Sequence, residues 1–422
     1  MQRRPHVQIY RIQDASVRTR ECGRFPRRVM TGLDDTLGPR LAQLDANHLR
    51  RSLKTISSGP GPRIWIGGRE VVQLCSNDYL GLAADPRLQR AAADAVARLG
   101  CGAGSSRLVS GTMDSHADLE RALAELKMAD ASLVFASGYH ANIGVVSALM
   151  GSGDTIFSDQ RNHASLIDGC RLSRASTKVY RHVDPEHLGQ LLSAAPTAGQ
   201  KLIVTETVFS MDGDVAPLRD LVGLARHWGA WILVDEAHAT GVFGEHGGGV
   251  VQESGLAAEV DVQVGTLGKA LGSLGAFTAG GRLLVDWLTN AARTFVYSTA
   301  LPPAAVAAAR VAVDVVRGEP ERRQRLWDHA TMMRSRLTDC GFRLGPTCSP
   351  ILPLLVGDDA RALKLSAELF KRGVFVPAIR PPTVPPGTSR LRVVPTATHS
   401  TEDIETALEA FADAGRVSGV LR

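Results

Sequence analysis

From about residue 115 to 300, short apolar runs alternate with stretches in which apolar residues recur every three or four positions. Leu119, Leu123 and Leu126 stand at i, i+4 and i+7. That spacing predicts an amphipathic helix starting near Asp114-Ser115. Leu133-Val134-Phe135-Ala136 then reads as a buried strand, and Ile156-Phe157, Leu202-Ile203-Val204, Ile232-Leu233-Val234 and Val262-Gln263-Val264 are further short apolar runs of that kind. Pro217 is expected to open a helix with Leu218, Leu221, Leu224 and Ala225 on one face, because proline is favoured at the first helical position. Repeated strand–helix–strand order predicts an α/β fold with a mostly parallel sheet covered by helices on both sides.

The texture changes after Leu301-Pro302-Pro303. An Ala/Val-rich helix (304–317) and a charged helix (320–339) are expected first. Two strands, Ile351–Leu355 and Val374–Val376, flank a helix at about 360–372, and Leu391–Val394 and a final helix from Thr401 complete the pattern. The proline-rich segment Arg380–Gly387 is excluded from helix and central strand, so it must be a shaped loop. These patterns divide the chain into a leader (1–30), an arm with a helix and short strands (31–78), a large α/β domain (79–300) and a smaller C-terminal α+β domain (301–422).

Composition narrows the function classes. The chain has 422 residues, 44% hydrophobic and 22% charged, as in an ordinary globular protein. No apolar run approaches the roughly 20 residues that span a bilayer. The net charge of +5 is concentrated in the leader, whose eight arginines face only Asp14 and Glu21. The body is about neutral, which argues against a nucleic-acid partner. The leader is expected to be an over-long start, with Met30 as the natural initiator, or a tail, in preference to a transit peptide. The six cysteines are scattered with no C-x-x-C pair, which fits reduced thiols in a cytoplasm.

Candidate chemistry lies in five places. Lys269 sits in Thr266-Leu267-Gly268-Lys269-Ala270-Leu271-Gly272, just after an apolar run. An amine held there is shielded from solvent and becomes a nucleophile toward aldehydes when its pKa falls. Ala136-Ser137-Gly138-Tyr139-His140 forms a strand-to-helix turn, where free backbone N–H groups and the helix dipole favour a phosphate, and Tyr139 adds a flat face. Asp235 closes an apolar strand at the end where α/β sheets bind ligands, with His238 three residues on. His163, in Asn162-His163-Ala164-Ser165, could lie over a planar cofactor, and Ser210 falls on the ligand side of the sheet. Singly, each has a plainer reading: a surface lysine, an ordinary turn, a capping carboxylate, a structural histidine. No third ligand near Asp235 and His238 favours a metal. Together they supply what pyridoxal phosphate needs: an amine for its aldehyde, a carboxylate for its ring nitrogen, a stacking ring and a phosphate cradle.

With these residues in place, the chain resembles the α-oxoamine synthase family of fold-type I pyridoxal phosphate enzymes, over about residues 49–414. Ser76-Asn77-Asp78-Tyr79-Leu80-Gly81-Leu82, Ser105–Thr112 and Tyr297–Pro303 are similar to family motifs, and Ile379–Arg392 is most like its biotin-pathway branch. The resemblance implies a seven-stranded, mostly parallel sheet and a homodimer with sites at the interface. It implies that Lys269 joins the cofactor and removes the Cα proton. Asp235 would pair with the ring nitrogen, His238 would approach the phenolic oxygen with Ser210 nearby, and His163 would stack on the ring. Gly138, Tyr139, Thr266 and the partner subunit's Thr299 would serve the phosphate. Arg392 would hold the amino-acid carboxylate, and Arg50, Asn77, Thr383 and Arg380 would meet substrate. The implied reaction is a decarboxylative condensation of L-alanine with pimeloyl-CoA or a pimeloyl carrier protein. Leu267, Ala270 and Leu271 are similar to glycine-using members, which keeps those members open as alternatives. So are an aminotransferase or lyase on this fold and a non-catalytic scaffold.

Overall fold

The computed structural model describes residues 32–47 and 49–421, so the expectation for the 1–30 leader falls outside the described residues. The described residues divide into two units, with the boundary between Ser52 and Leu53. In the first, the described part is a helix, Gly32–Ala46, with no buried residue. Its Leu33, Leu37, Leu41 and Leu44 are all exposed.

The second unit opens with an antiparallel pair, β1 (Arg63–Ile66) and β2 (Arg69–Gln73). The large sheet follows. Its strands are β3 (Ala131–Phe135), β4 (Thr155–Asp159), β5 (Ser176–Tyr180), β6 (Lys201–Glu206), β7 (Trp231–Asp235), β8 (Val262–Thr266) and β9 (Ala276–Gly280). The order is β3-β9-β8-β7-β6-β4-β5, with only β9 running against its neighbours. Strands β3, β4 and β9 are buried along their whole length, and β6, β7 and β8 at all but one end residue, as expected when helices cover both faces. The crossover helices include Gly138–Leu149, Ala164–Ser173 and Leu218–Trp228.

The C-terminal part holds β10 (Leu352–Gly357), β11 (Val374–Phe375), β12 (Ala378–Ile379) and β13 (Ser389–Val393). Strands β10, β13 and β12 form an antiparallel sheet against helices Asp359–Lys371 and Thr401–Ser418, around a core that includes Leu354, Leu365, Leu391 and Phe411. Two expectations need adjustment. Pro217 is the N-cap, and its helix starts at Leu218. The strand expected at Val374–Val376 stops at Phe375, and it pairs parallel with β2. Strands β5 and β9 are additions. The former is exposed along all but its last residue, and the latter is Ala-Phe-Thr-Ala-Gly, so neither shows the apolar run that marks its neighbours. No helix among the described residues is long and apolar enough to cross a membrane.

Candidate active site

Three adjacent parallel strands set the site. Glu206 on β6 lies in register with Asp235 on β7, and Asp235 with Val264 on β8, so the three chains leave the sheet side by side. Carboxyl ends of parallel strands are where open α/β sheets bind ligands.

Lys269 lies in the loop joining β8 to β9. The loop is closed by Leu267 N–H to Gly275 O (2.9 Å), Ser273 N–H to Leu267 O (2.8 Å) and Gly272 N–H to Lys269 O (2.9 Å). Gly272 has φ +60°, and a Cβ there would come within 2.5 Å of the Leu82–Ala83 backbone. Leu267, Ala270 and Leu271 are buried. Burial brings the Lys269 amine down to about 8, helped by the positive charge of Arg392 and opposed by Asp235 and Glu206.

A first hydrogen-bond network runs to that amine. Arg392 donates through Nε to Ser210 O (2.5 Å) and through Nη2 to the Tyr79 hydroxyl (3.1 Å). The Tyr79 hydroxyl lies 2.6 Å from His238 Nδ1, and His238 Nε2 lies 3.0 Å from Lys269 Nζ. Since Arg392 can only donate, the Tyr79 hydroxyl accepts from it. Burial holds His238 neutral, well below the usual range, with the Lys269 and Arg392 charges adding to the effect.

A second network carries the carboxylate. Asp235 Oδ2 accepts from Asn142 Nδ2 (2.7 Å), and its Oδ1 accepts the Ala237 N–H (2.8 Å). The same Asn142 nitrogen reaches Ser165 Oγ (2.9 Å), which lies 2.8 Å from His163 Nδ1. His163 is further fixed by its backbone N–H, which donates to Glu206 Oε1 (2.7 Å). Glu206 is fully buried beside Asp235, and both effects raise its pKa.

The remaining candidates are placed as follows. Gly138 and Tyr139 open the 138–149 helix, with Ser137 as N-cap, and a Cβ at Gly138 would meet nothing within 4 Å. The Tyr139 hydroxyl bonds Asp168. Thr266 Oγ1 donates to Gly275 O (3.1 Å) and accepts the Gly268 N–H (3.2 Å). Thr299 bridges to Ser106 within its own chain. Asn77 Oδ1 and Arg380 Nε are buried without a hydrogen-bond partner among the described residues, and Thr383 N–H donates to Arg380 O (3.1 Å). Arg50 belongs to the first unit, where it pairs with Asp45 (3.1 Å).

Four side chains of these networks, Tyr79, Asn142, Ser165 and Glu206, have no role assigned from the sequence. Glu206 closes an apolar strand as Asp235 does, and that signal could have found it. Tyr79 could not be found that way, because it lies 159 and 313 positions from its partners.

These residues fit pyridoxal phosphate. The structure offers a buried amine of lowered pKa, a buried carboxylate on the adjacent strand and a fixed imidazole. It also offers open space over a glycine at a helix start, where N–H groups have no intrahelical acceptor. The profile of the family described as aminotransferase class I and II matches residues 69–411. An 8-amino-7-oxononanoate synthase from Anaeromyxobacter dehalogenans (strain 2CP-1 / ATCC BAA-258) is 52% identical over 381 residues, covering 90% of this chain and 96% of that one. A serine palmitoyltransferase from Sphingomonas wittichii superposes with a TM-score of 0.88 at 36% identity, over 93% of this chain and 100% of that one. The chain belongs to the α-oxoamine synthase family. It is a pyridoxal phosphate-dependent acyltransferase of fold type I. A further serine palmitoyltransferase (TM-score 0.88, 34% identity, 93% of this chain and 100% of that one) was solved with the cofactor bound.

Proposed function

We propose that the chain carries out the 8-amino-7-oxononanoate synthase reaction. L-alanine and pimeloyl-CoA, or a pimeloyl carrier protein, give 8-amino-7-oxononanoate, the free thiol carrier and carbon dioxide. The supporting observation is the pair of networks that set Lys269 and His238 on one side and Asp235 and His163 on the other. Relatives named for this reaction reach 53% identity.

Bound pyridoxal phosphate supplies an electron sink for a carbanion at the amino-acid Cα. The residues do the rest. Lys269 offers a neutral amine to take the Cα proton and later return one. Asp235, held by Asn142 and Ala237, keeps a proton on the ring nitrogen. His163 would lie against the cofactor ring, His238 and Ser210 would serve its phenolic side, and Gly138, Tyr139 and Thr266 would hold its phosphate. Arg392 binds the alanine carboxylate with a planar fork and so orients the Cα–H bond toward Lys269. Arg50, Asn77, Thr383 and Arg380 contact substrate. The working unit is a cytoplasmic homodimer in which the partner subunit's Thr299 completes the phosphate site.

A CoA-release assay over a grid of acyl-CoAs and amino acids tests this reading. The expected maximum of kcat/KM is at pimeloyl-CoA with L-alanine. Faster turnover of glycine with acetyl-CoA or succinyl-CoA would transfer the chain to a glycine-using reaction.

A further inference from the structure

A cleft of about 480 Å³ opens between the Phe209–Asp212 turn and the proline-rich loop, within the size range of small-molecule sites. It lies beside the site described above. Asn162 on its wall precedes His163, and Ser210 on its wall holds Arg392 through its carbonyl. Phe209, Met211 and Pro382 give it apolar surface, and Thr383 gives it a hydroxyl.

The charged side chains lining the cleft are Arg161 and Asp212. Asp212 Oδ1 is shared by two guanidinium groups, with Arg390 Nη1 at 2.7 Å and Arg161 Nη1 at 3.0 Å. Arg390 is buried and is also fixed by Thr388 O and Met211 O, so one carboxylate already balances an internal cation. Arg161 is left as the surplus positive charge. Its side chain is 46% exposed, and a guanidinium has five donors, most of which this single ion pair does not use.

We propose that Arg161 binds the distal carboxylate of the acyl substrate in this cleft, and so makes the enzyme selective for thioesters that end in a carboxylate. The apolar walls suit the methylene chain, and a planar fork suits the terminal anion. This inference rests on the proposed reaction, which supplies the acyl class.

The test compares pimeloyl-CoA with heptanoyl-CoA, of equal chain length without the distal carboxylate, each with L-alanine. The wild-type enzyme is expected to favour pimeloyl-CoA in kcat/KM. In Arg161→Met the ratio should fall about tenfold, mainly through the KM for pimeloyl-CoA, and Arg161→Lys should restore part of it. The wild-type preference should also weaken as salt is raised. An unchanged ratio in Arg161→Met, or an equal loss with both thioesters, overturns the proposal. So does a wild-type enzyme that does not prefer the carboxylate-bearing thioester. Release of CoA from pimeloyl-CoA and L-alanine by the wild type would leave the reaction assignment standing in each of those cases. No release from either CoA thioester, nor from the matching carrier-protein thioesters, overturns both readings.

Discussion

A buried amine gives up its proton more readily than a solvated one, and for Lys269 the transition falls at about 8. Below that pH the cofactor-free protein holds a charged, unreactive ammonium, and above it a neutral nucleophile. Uptake of pyridoxal phosphate, followed by stopped-flow absorbance, should therefore speed up as pH rises through about 8 and then level off. Flat uptake from pH 6.5 to 9.5 would refute the assignment. Tyr79 carries a second prediction. Tyr79→Phe leaves a buried Arg392 donor and His238 Nδ1 without their shared partner, so kcat should fall about tenfold with the fold intact, as checked by circular dichroism. Residues that define their own neighbourhood, such as Lys269 among glycines and Asp235 at a strand end, were legible in the sequence. Tyr79 was not, because a hydroxyl's partner is chosen by tertiary structure and leaves no local pattern.

Elements are tied together by two buried polar contacts. Lys127, at the end of helix Asp114–Leu126, has a fully buried ammonium bonded to Glu236, Thr240 and Gly248 O, and so holds the segment just after β7. Lys127→Met strands the buried Glu236 carboxylate, and denaturant unfolding should show a loss of about 3–5 kcal/mol. Farther along the sheet, His182 lies between Asp159 at the end of β4 (2.8 Å) and Asp214 after β6 (2.7 Å). Burial disfavours its charged form, yet the two hydrogen-bonded carboxylates outweigh it and lift the imidazole to about 9. The folded state thus binds the proton more tightly than the unfolded chain. The stabilising effect is complete below about 6.5 and fades as pH rises through about 9. The stability gap between wild type and His182→Gln should be widest at pH 6 and shrink by pH 9.5. A gap that widens with pH would contradict the sign. At this scale the sequence spoke through burial. Apolar strands such as β6 and β7 declared themselves, whereas β5, mostly exposed, and β9, built of small residues, had no apolar run to read.

For the whole molecule, the proposed homodimer makes each site depend on Lys269 from one subunit and Thr299 from the other. Co-expression of Lys269→Ala with Thr299→Ala should produce mixed dimers that regain one intact site of two, assayed at limiting pyridoxal phosphate. Absence of any recovery would locate Thr299's contribution elsewhere. The order of strands and helices along the chain was enough to foresee a parallel sheet followed by a smaller C-terminal layer. It could not foresee that Val374 completes a sheet begun near residue 63, because pairing across some 300 residues is decided by closure of the fold.

The loop carrying Lys269 is anchored at both ends to antiparallel strands and cross-linked by its own backbone. The post therefore stands still, and only a four-carbon tether swings. Such rotations take on the order of picoseconds to nanoseconds, against turnover of roughly 1–10³ per second in typical enzymes. The swing of the amine is never what this enzyme waits for, and the clock is set by bond-making or by the traffic of reactants through the cleft.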